Sequence, residues 1–344
     1  MRVVRVALVL VLLAGAGAAW LALEINRLWH EPLNIPAAGY RLQVAPGASL
    51  RTVARTLGQD GVIAHPELLV LFGRIEGADA RIKLGEYALN PGLTGPGLLS
   101  MLEEGDVVQY QVTLPEGITL AQALARLARA EGLVSVLESA EDPRLYELVA
   151  GYPHPEGLFF PDSYQFTRGD SDLDILARAH RRMRDVLAQE WAGRAGELPL
   201  ETPYEALILA SIVERETGVA AERETIAGVF VRRLQRRMRL QTDPTVIYGL
   251  GAQYNGNLKR AHLADDANPY NTYRHHGLPP TPIALPGRAA IHAALHPAAG
   301  NSLYFVARGD GSHAFSATLA EHNRAVRKYQ LKRRKDYRSS PETH

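Results

Sequence analysis

The chain has 344 residues, of which 46% are apolar and 22% charged, so it has the composition of a globular protein and room for two domains. Its formal net charge of +1 provides no bulk attraction to nucleic acid, and we expect no nucleic-acid partner. The absence of cysteine excludes disulfides, thiolate nucleophiles and cysteine-based zinc sites.

The N-terminus carries a stretch that can cross a membrane. Arg2 and Arg5 precede eighteen uncharged residues, 6–23, which as a helix would span roughly 27 Å against a hydrocarbon core of about 30 Å. The arginines before this run, with Trp20 near its far end, predict a single-pass inner-membrane anchor over residues 1–24 with the body of the protein outside the cytoplasm. The alternative is a cleaved signal peptide, because residues 14–19 are all Ala or Gly. Either segment exports the rest of the chain.

Residues 31–39 contain two prolines, polar residues and little periodicity, so we predict a linker over residues 25–39 and a small module after it over residues 40–112. Alternating apolar residues 40–44 predict a strand, and Ser49 begins an amphipathic helix. A helix over residues 66–75, a strand over 81–89 and a short helix ending at Gly105 complete the pattern. We therefore predict an α+β module that serves binding or spacing.

The second part of the chain repeats the strand, turn and helix pattern once and then becomes rich in helices. Residues 108–114 alternate as a strand, and Thr119 with Gln122 forms a capping box after a Pro-Glu-Gly turn. Three helices are predicted next, over residues 173–190, 203–217 and 223–240, and Asp243-Pro244 predicts a turn or extended segment. A hairpin over 303–315 and a last helix capped by Thr318 and Glu321 follow. We predict a larger mixed α+β domain over residues 113–330, built around a buried helix, with a basic tail over 331–344.

The stretch from Pro203 to Thr217 is the most informative in the chain. Its apolar run predicts a helix whose first half is buried on all sides and which stops at Gly218. Glu214 lies in the last turn, at the edge of that burial. Apolar neighbours and the negative end of the helix dipole both disfavour a carboxylate anion, so we expect the pKa of Glu214 to be raised.

A raised pKa suits a general acid that works near neutral pH. At about 100° per residue, Glu216 points to another side of the same helix, so the two acids do not act together. The alternative interpretation of Glu214 is a solvated side chain where a core helix reaches the surface.

Other patterns that carry chemistry are incomplete. His292 and His296 have the spacing of two metal ligands on one helix face, but position 293 is Ala rather than Glu and Pro297 ends the helix. Ser211 lacks the Gly-x-Ser-x-Gly turn of a serine hydrolase, and there is no glycine-rich phosphate loop. The sequence therefore predicts neither a metal nor a cofactor.

A single acid can still cleave a sugar chain. Lysozyme-type hydrolysis normally uses two carboxylates across the scissile bond. In bacterial wall glycan, however, the C6 hydroxyl of N-acetylmuramic acid can attack its own C1 and leave a 1,6-anhydro end. One glutamate would protonate the leaving oxygen and then deprotonate that hydroxyl.

Several motifs together resemble those of the endolytic murein transglycosylase family, also called the MltG or YceG-like family. The resemblance covers nearly the whole chain and rests on residues 114–117, 156–158, 161–164, 210–217, 222–223, 229–230, 233–234, 238–249, 270–273, 277–280, 282–283, 296–297 and 303–306. One departure is Thr281, where many relatives carry Gly.

The resemblance implies a membrane-anchored lytic transglycosylase with Glu214 as the catalytic glutamate. It further implies a LysM-like module over residues 40–112, nascent peptidoglycan glycan strands as substrate and peptidoglycan synthases as partners. The residues that fall in motifs expected to line the cleft are Gln241, Thr242, Asp243, Tyr248, Asn271 and Tyr273.

Two other functions stay open at the level of sequence. A hydrolytic muramidase would need a second carboxylate, for which Asp243 or Asp162 are candidates. A wall-binding scaffold without enzymatic activity would not need the carboxyl of Glu214.

Overall fold

A computed structural model describes residues 2–331 of the protein, without the side chains of residues 2–8, 28 and 331. The predicted basic tail from Lys332 onward lies outside the described residues. The helices are α1 (Arg2–His30), α2 (Leu50–Gln59), α3 (Pro66–Ile75), α4 (Gly95–Glu104), α5 (Leu120–Leu127), α6 (Pro143–Leu148), α7 (Asp172–Ala192), α8 (Pro203–Glu216), α9 (Arg223–Gln235), α10 (Asp243–Leu250), α11 (Arg260–Ala264), α12 (Arg288–Leu295) and α13 (Leu319–Val326). The strands are β1 (Tyr40–Val44), β2 (Gly85–Leu89), β3 (Gln109–Thr113), β4 (Ser163–Thr167), β5 (Tyr304–Ala307) and β6 (His313–Ser316).

The chain divides into two compact units of mixed α and β structure. The first comprises the chain up to Tyr110 together with Gln165–Gly169, and the second comprises Gln111–Tyr164 and the chain from Asp170 onward. The division falls within β3 and β4. In the described part of the chain the strands pair as three two-stranded sheets, β1–β2, β3–β4 and β5–β6.

The first unit contains α1 and a small α+β module with its own core. Strands β1 and β2 are antiparallel, with Tyr40 opposite Leu89. The hydroxyl of Ser49 accepts a hydrogen bond from the Thr52 N–H at the start of α2, which confirms the predicted helix start. The predicted strand over 81–89 is shorter than expected, because a 3₁₀ turn at Ala78–Ala80 precedes it and pairing begins only at Gly85.

Helix α1 continues through the first part of the 25–39 segment to His30. Its Trp29 ring lies 4.9 Å from the ring of Phe72 on α3, and α1 also contacts α4. Leu33 and Ile35, which follow the helix, are buried in the core of the first unit. The connection between α1 and the module is therefore packed rather than extended into solvent.

The second unit encloses α8. Thr202 caps this helix by accepting a hydrogen bond from the Glu205 N–H, and Pro203 occupies its first turn. All residues from Ala206 to Val213 are buried, and α12, α9, α7 and α10 pack against the helix. The apolar run thus has packing partners on every side, as its lack of a polar face predicts.

Two sequence predictions in the second unit are wrong. Helix α9 ends at Gln235 rather than near residue 240, because the chain turns at Arg237, whose φ is 52°. The Asp243-Pro244 step begins a helix instead of a turn. Proline fits the first helical turn because its φ is already helical and its missing N–H is not needed there.

The C-terminal predictions are confirmed. Strands β5 and β6 form an antiparallel hairpin with Tyr304 opposite Ser316. Thr318 and Glu321 form the capping box at the start of α13.

We expect Leu209→Ala to lower the free energy of unfolding by about 2–5 kcal/mol, because it leaves a cavity in a packed interior. Leu209 is fully buried in α8, whereas Leu319 in the same unit is 56% exposed. Chemical denaturation of the full chain in detergent measures the change, with Leu319→Ala as the matched control. Equal effects of the two substitutions would contradict the burial of α8.

Candidate active site

Glu214 lies at the end of α8 with only 6% of its side chain exposed. The Gly287 N–H donates a hydrogen bond of 2.9 Å to its Oε2 atom. The Nη2 atom of Arg223, at the start of α9, lies 3.4 Å from its Oε1 atom. The carboxyl is therefore held by one backbone donor and one guanidinium rather than by water.

Burial raises the pKa of Glu214 above its ordinary value, and the nearby negative charge of Glu116 adds to the rise. The hydrogen bond from Gly287 and the charge of Arg223 oppose the rise without cancelling it. The direction agrees with the one expected from the sequence. A group of this kind exchanges protons closer to neutral pH than an ordinary glutamate does.

A turn at residues 115–117 packs against the end of α8. Gly117 has a φ of 76°, a conformation that glycine adopts without strain. Its N–H donates to the Leu285 carbonyl at 2.8 Å, and the Leu285 N–H donates to the Ile118 carbonyl at 2.8 Å. Arg215 donates to the Gly117 carbonyl at 3.0 Å. These bonds fix the turn beside the segment that leads to Gly287.

This turn places a second carboxylate near Glu214. The Oε2 atom of Glu116 lies 3.9 Å from Nη2 of Arg223, the same atom that contacts Glu214, and its side chain is 48% exposed. A Cβ atom on Gly287 would lie 1.8 Å from Oε1 of Glu116, so a side chain at this position would displace the Glu116 carboxyl from where it lies. Glu116 and Arg223 line a cavity of about 530 Å³, whose other polar side chains are Glu190, Glu224, Arg288 and His292.

Arg223 is positioned by the residue before it. Glu222 accepts a hydrogen bond of 2.9 Å from the His313 N–H, and its Oε2 atom lies 2.7 Å from Nδ1 of the same histidine. His313 belongs to β6 and is buried. The hairpin β5–β6 thus anchors the start of α9.

Four of the residues expected to line the cleft surround Glu216 rather than Glu214. The hydroxyl of Thr242 donates to the Glu216 carboxyl, and the hydroxyl of Tyr273 donates to Asp243 at 2.7 Å. Gln241 is exposed, and its Oε1 atom lies 3.4 Å from Nη1 of Arg233. We call Glu216, Arg233, Gln241, Thr242, Asp243 and Tyr273 the Glu216 cluster.

The other two predicted cleft residues have structural partners. The Tyr248 hydroxyl donates to Glu156 at 3.2 Å, and both Glu156 oxygens accept from the Leu120 N–H at the start of α5. Asn271 is fully buried, and its amide donates to three backbone carbonyls, those of His262, Leu263 and Asp265.

Burial also raises the pKa of two other carboxyls in this unit. The pKa of Glu216 rises to about 7 through burial, despite its bond from Thr242. Burial likewise raises the pKa of Glu156 to about 7. Among the described residues, the hydrogen bonds and the ion pair of Glu214 go to Gly287 and Arg223, not to either of these groups. The three carboxyls therefore have separate environments.

One group of side chains has the composition of a metal site. Ligand atoms of Glu190, His292 and His296 lie within 4.8 Å of one another. Glu190 is already engaged, since Arg288 donates to its Oε1 atom at 2.6 Å and Nδ1 of His292 lies 2.9 Å from its Oε2 atom. A metal ion would have to compete with this ion pair.

Comparison with known proteins identifies the class. The profile of the YceG-like family matches residues 42–328, and the chain belongs to this family. A crystal structure of a YceG-like protein from Listeria monocytogenes is 28% identical, with a TM-score of 0.53 over 83% of this chain and 98% of that one.

Curated relatives carry one name. A protein of Bacillus subtilis (strain 168) called endolytic murein transglycosylase is 31% identical over 306 residues, which is 84% of each chain. A protein of Streptococcus pneumoniae serotype 2 with the same name is 26% identical over 82% of this chain and 57% of its own length.

Sequence reasoning assigned no individual role to Glu116, Arg223 or Gly287. Glu116 and Arg223 do fall in motifs that carry the family resemblance, so motif membership was the available signal. Gly287 stood outside every motif. Gly287 contacts Glu214 and Glu116 only because the tertiary structure brings distant segments of the chain together.

We expect Gly287→Ala to lower glycan-cleaving activity, because its Cβ would displace the Glu116 carboxyl from its position beside Arg223. Gly196→Ala is the matched control, because an added Cβ there meets nothing within 4 Å. Cleavage of purified wall glycan by the two variants measures the effect, and a circular dichroism spectrum checks that both fold. Full activity of the folded Gly287→Ala variant would contradict this arrangement of the site.

Proposed function

We propose that the protein is a membrane-anchored lytic transglycosylase that cleaves peptidoglycan glycan strands internally, with Glu214 as its acid and then its base. The observation that carries the proposal is the dehydrated Glu214 carboxyl, with raised pKa, beside a cavity that its neighbours line. Membership of the YceG-like family and the name shared by the curated relatives support the same activity.

The proposed reaction needs no water. Protonated Glu214 gives its proton to the oxygen that joins C1 of N-acetylmuramic acid to the next N-acetylglucosamine, and that bond breaks. The C6 hydroxyl of the same muramic acid attacks C1, and its proton passes to the Glu214 carboxylate. The products are a free 4-hydroxyl and a 1,6-anhydro end, and the glutamate is again protonated. Because nucleophile and electrophile belong to one sugar, the attack is intramolecular.

Glu214→Gln should lower kcat/KM by roughly 10²–10⁴-fold, the usual contribution of a general acid–base group. Mass spectrometry of digested wall glycan should show wild-type products that are lighter than hydrolytic ones by one water. Glu201→Gln, an exposed glutamate before α8, is the matched control and should retain full activity.

The same digest separates the alternatives. If the wild type yields products with reducing ends, the protein is a hydrolytic muramidase, in which a second carboxylate activates water. If the wild type gives no products and Glu214→Gln functions normally in cells, neither enzymatic activity holds and the protein is a wall-binding scaffold.

Among the expected cleft residues, we propose that Gln241 and Asp243 contact the glycan directly, because both side chains are exposed. The side chains of Thr242, Tyr248, Asn271 and Tyr273 are buried or half-buried and donate hydrogen bonds within the protein. We propose that these four position the loops on which the cleft depends.

We further propose that α1 anchors the protein in the inner membrane, with the catalytic domain, residues 113–330, on the outer side. The segment Val9–Arg27 is long and apolar enough to cross a bilayer, with a mean hydropathy of 1.8 and none of it buried in the protein. Arg2 and Arg5 support a cytoplasmic N-terminus. In this position the LysM-like module, residues 40–112, would meet nascent strands as synthases extend them.

Replacing Leu12 and Leu13 together by Arg should abolish membrane retention, because each arginine costs about 2.5–3.5 kcal/mol at the centre of a spanning helix. Extraction of membranes with alkaline carbonate measures retention. The same two positions changed to Ala keep the span apolar and should leave the protein in the membrane. Retention of the arginine variant would contradict the anchor.

A further inference from the structure

Glu116 is close to the proposed catalytic group but has no part in the single-acid mechanism. It lines the cavity beside Glu214. Among the described residues, Arg223 forms ion pairs with two carboxylates, those of Glu214 and Glu116. The hydrogen-bonded turn at residues 115–117 fixes the backbone that carries Glu116, and its half-exposed carboxyl lies 3.9 Å from Arg223.

The two carboxyls differ sharply in environment although they share one nitrogen atom. Both lie within 4 Å of Nη2 of Arg223, with side-chain exposures of 48% for Glu116 and 6% for Glu214. Glu116 is therefore open to solvent, whereas Glu214 is largely removed from it. Burial raises the pKa of Glu214, and the negative charge of Glu116, which pairs with the same guanidinium, adds to that rise.

Gly287 serves both groups at once. Its N–H fixes Oε2 of Glu214, and its missing side chain leaves the space that Oε1 of Glu116 occupies. The segment before it is bonded to the turn that carries Glu116, through the paired Gly117 and Leu285 backbones. Backbone contacts thus bring the segment that carries Glu116 beside the donor that holds Glu214.

We propose that Glu116 is the second active-site carboxylate of this protein, a charged positioning residue that keeps Glu214 protonated and faces the positive charge developing at C1 of the cleaved sugar. It neither donates the proton nor activates water. This inference rests on the proposed function only for the identity of the sugar bond. The electrostatic action of Glu116 on Glu214 is the same whether C6 oxygen or water attacks.

The other charged groups around Glu214 limit the interpretation of a pH profile. Arg223 contacts Glu214 from α9, and the next residue on α8, Arg215, directs its guanidinium to the Gly117 carbonyl. The same cavity is bordered by Glu190, Glu224, Arg288 and His292. Glu116 and Arg223 are the two whose charges act on the pKa of Glu214, in opposite directions.

The test is the dependence of kcat/KM on pH for the full chain in detergent, with purified wall glycan as substrate. Activity requires protonated Glu214, so it falls as pH rises through the pKa of that group. Glu116→Gln removes a negative neighbour, lowers the pKa of Glu214 and should move this fall to lower pH by roughly half to one unit. We also expect a decrease in kcat/KM of about tenfold or more below the transition, through lost stabilisation of the positive sugar.

Three further variants make the result specific. Glu116→Asp keeps the charge and should keep the wild-type position of the fall, whereas Arg223→Met removes a positive neighbour and should move it to higher pH. Glu201→Gln removes an exposed charge elsewhere and should not move it. If Glu116→Gln fails to fold, Glu116→Ala also removes the charge and should move the fall in the same direction.

The proposal would be overturned if folded Glu116→Gln loses kcat/KM at the same pH as the wild type. It would also be overturned if Arg223→Met moves this loss to lower pH. Products of wild-type digestion provide the separate test of the proposed function. If the wild type gives hydrolytic products and the variants shift the pH dependence as expected, the role of Glu116 stands and transglycosylation is overturned. If the wild type gives anhydro products and Glu116→Gln causes no shift, transglycosylation stands and the role of Glu116 is overturned.

Discussion

The exclusion of water from one carboxyl at the end of α8 is the constraint on which the site depends. Helix α8 has no polar face until Glu214, and α12, α9 and α7 pack around it. The carboxyl consequently leaves the packed interior only at the last turn, where a backbone N–H and a guanidinium take the place of solvent. Its proton affinity is therefore a property of helix packing, since burial disfavours the anion more than these two partners favour it.

Dehydration alone does not identify a catalytic group in this protein. Glu156 and Glu216 are also dehydrated, and burial raises the pKa of each to about 7. Their oxygens are bonded by internal donors, the Leu120 N–H and Tyr248 hydroxyl for Glu156 and the Thr242 hydroxyl for Glu216. Glu214 differs because its neighbours Glu116 and Arg223 line an open cavity. A perturbed carboxyl whose neighbours line a cavity is a stronger functional candidate than one that is bonded only within the packed interior.

The sequence predicted local structure well where side chains cap helices and less well where the backbone departs from common conformations. The caps at Ser49, Thr119 and Thr318 were visible as residue patterns, because a hydroxyl three residues before a backbone donor satisfies it locally. The end of α9 was missed because Arg237 adopts a positive φ that its residue type does not announce. In the site, the raised pKa of Glu214 followed from its own helix. The donor at Gly287 did not, because it lies 73 residues away in sequence and is brought close only by tertiary packing.

The geometry around Glu214 bears on how one acid can serve both halves of the proposed reaction. Gly287 fixes one oxygen of the carboxyl, so the group cannot turn freely between the steps. After donating its proton, the carboxylate stays where it is held. It can therefore accept a proton only from a group that already lies nearby. The C6 hydroxyl satisfies this condition because it belongs to the sugar whose bond has broken, and it needs no ordered water on the opposite face. A fixed and buried carboxyl therefore favours the intramolecular nucleophile of the proposed reaction, and in the role proposed for Glu116 its exposed carboxyl would balance the cation that forms between the two steps.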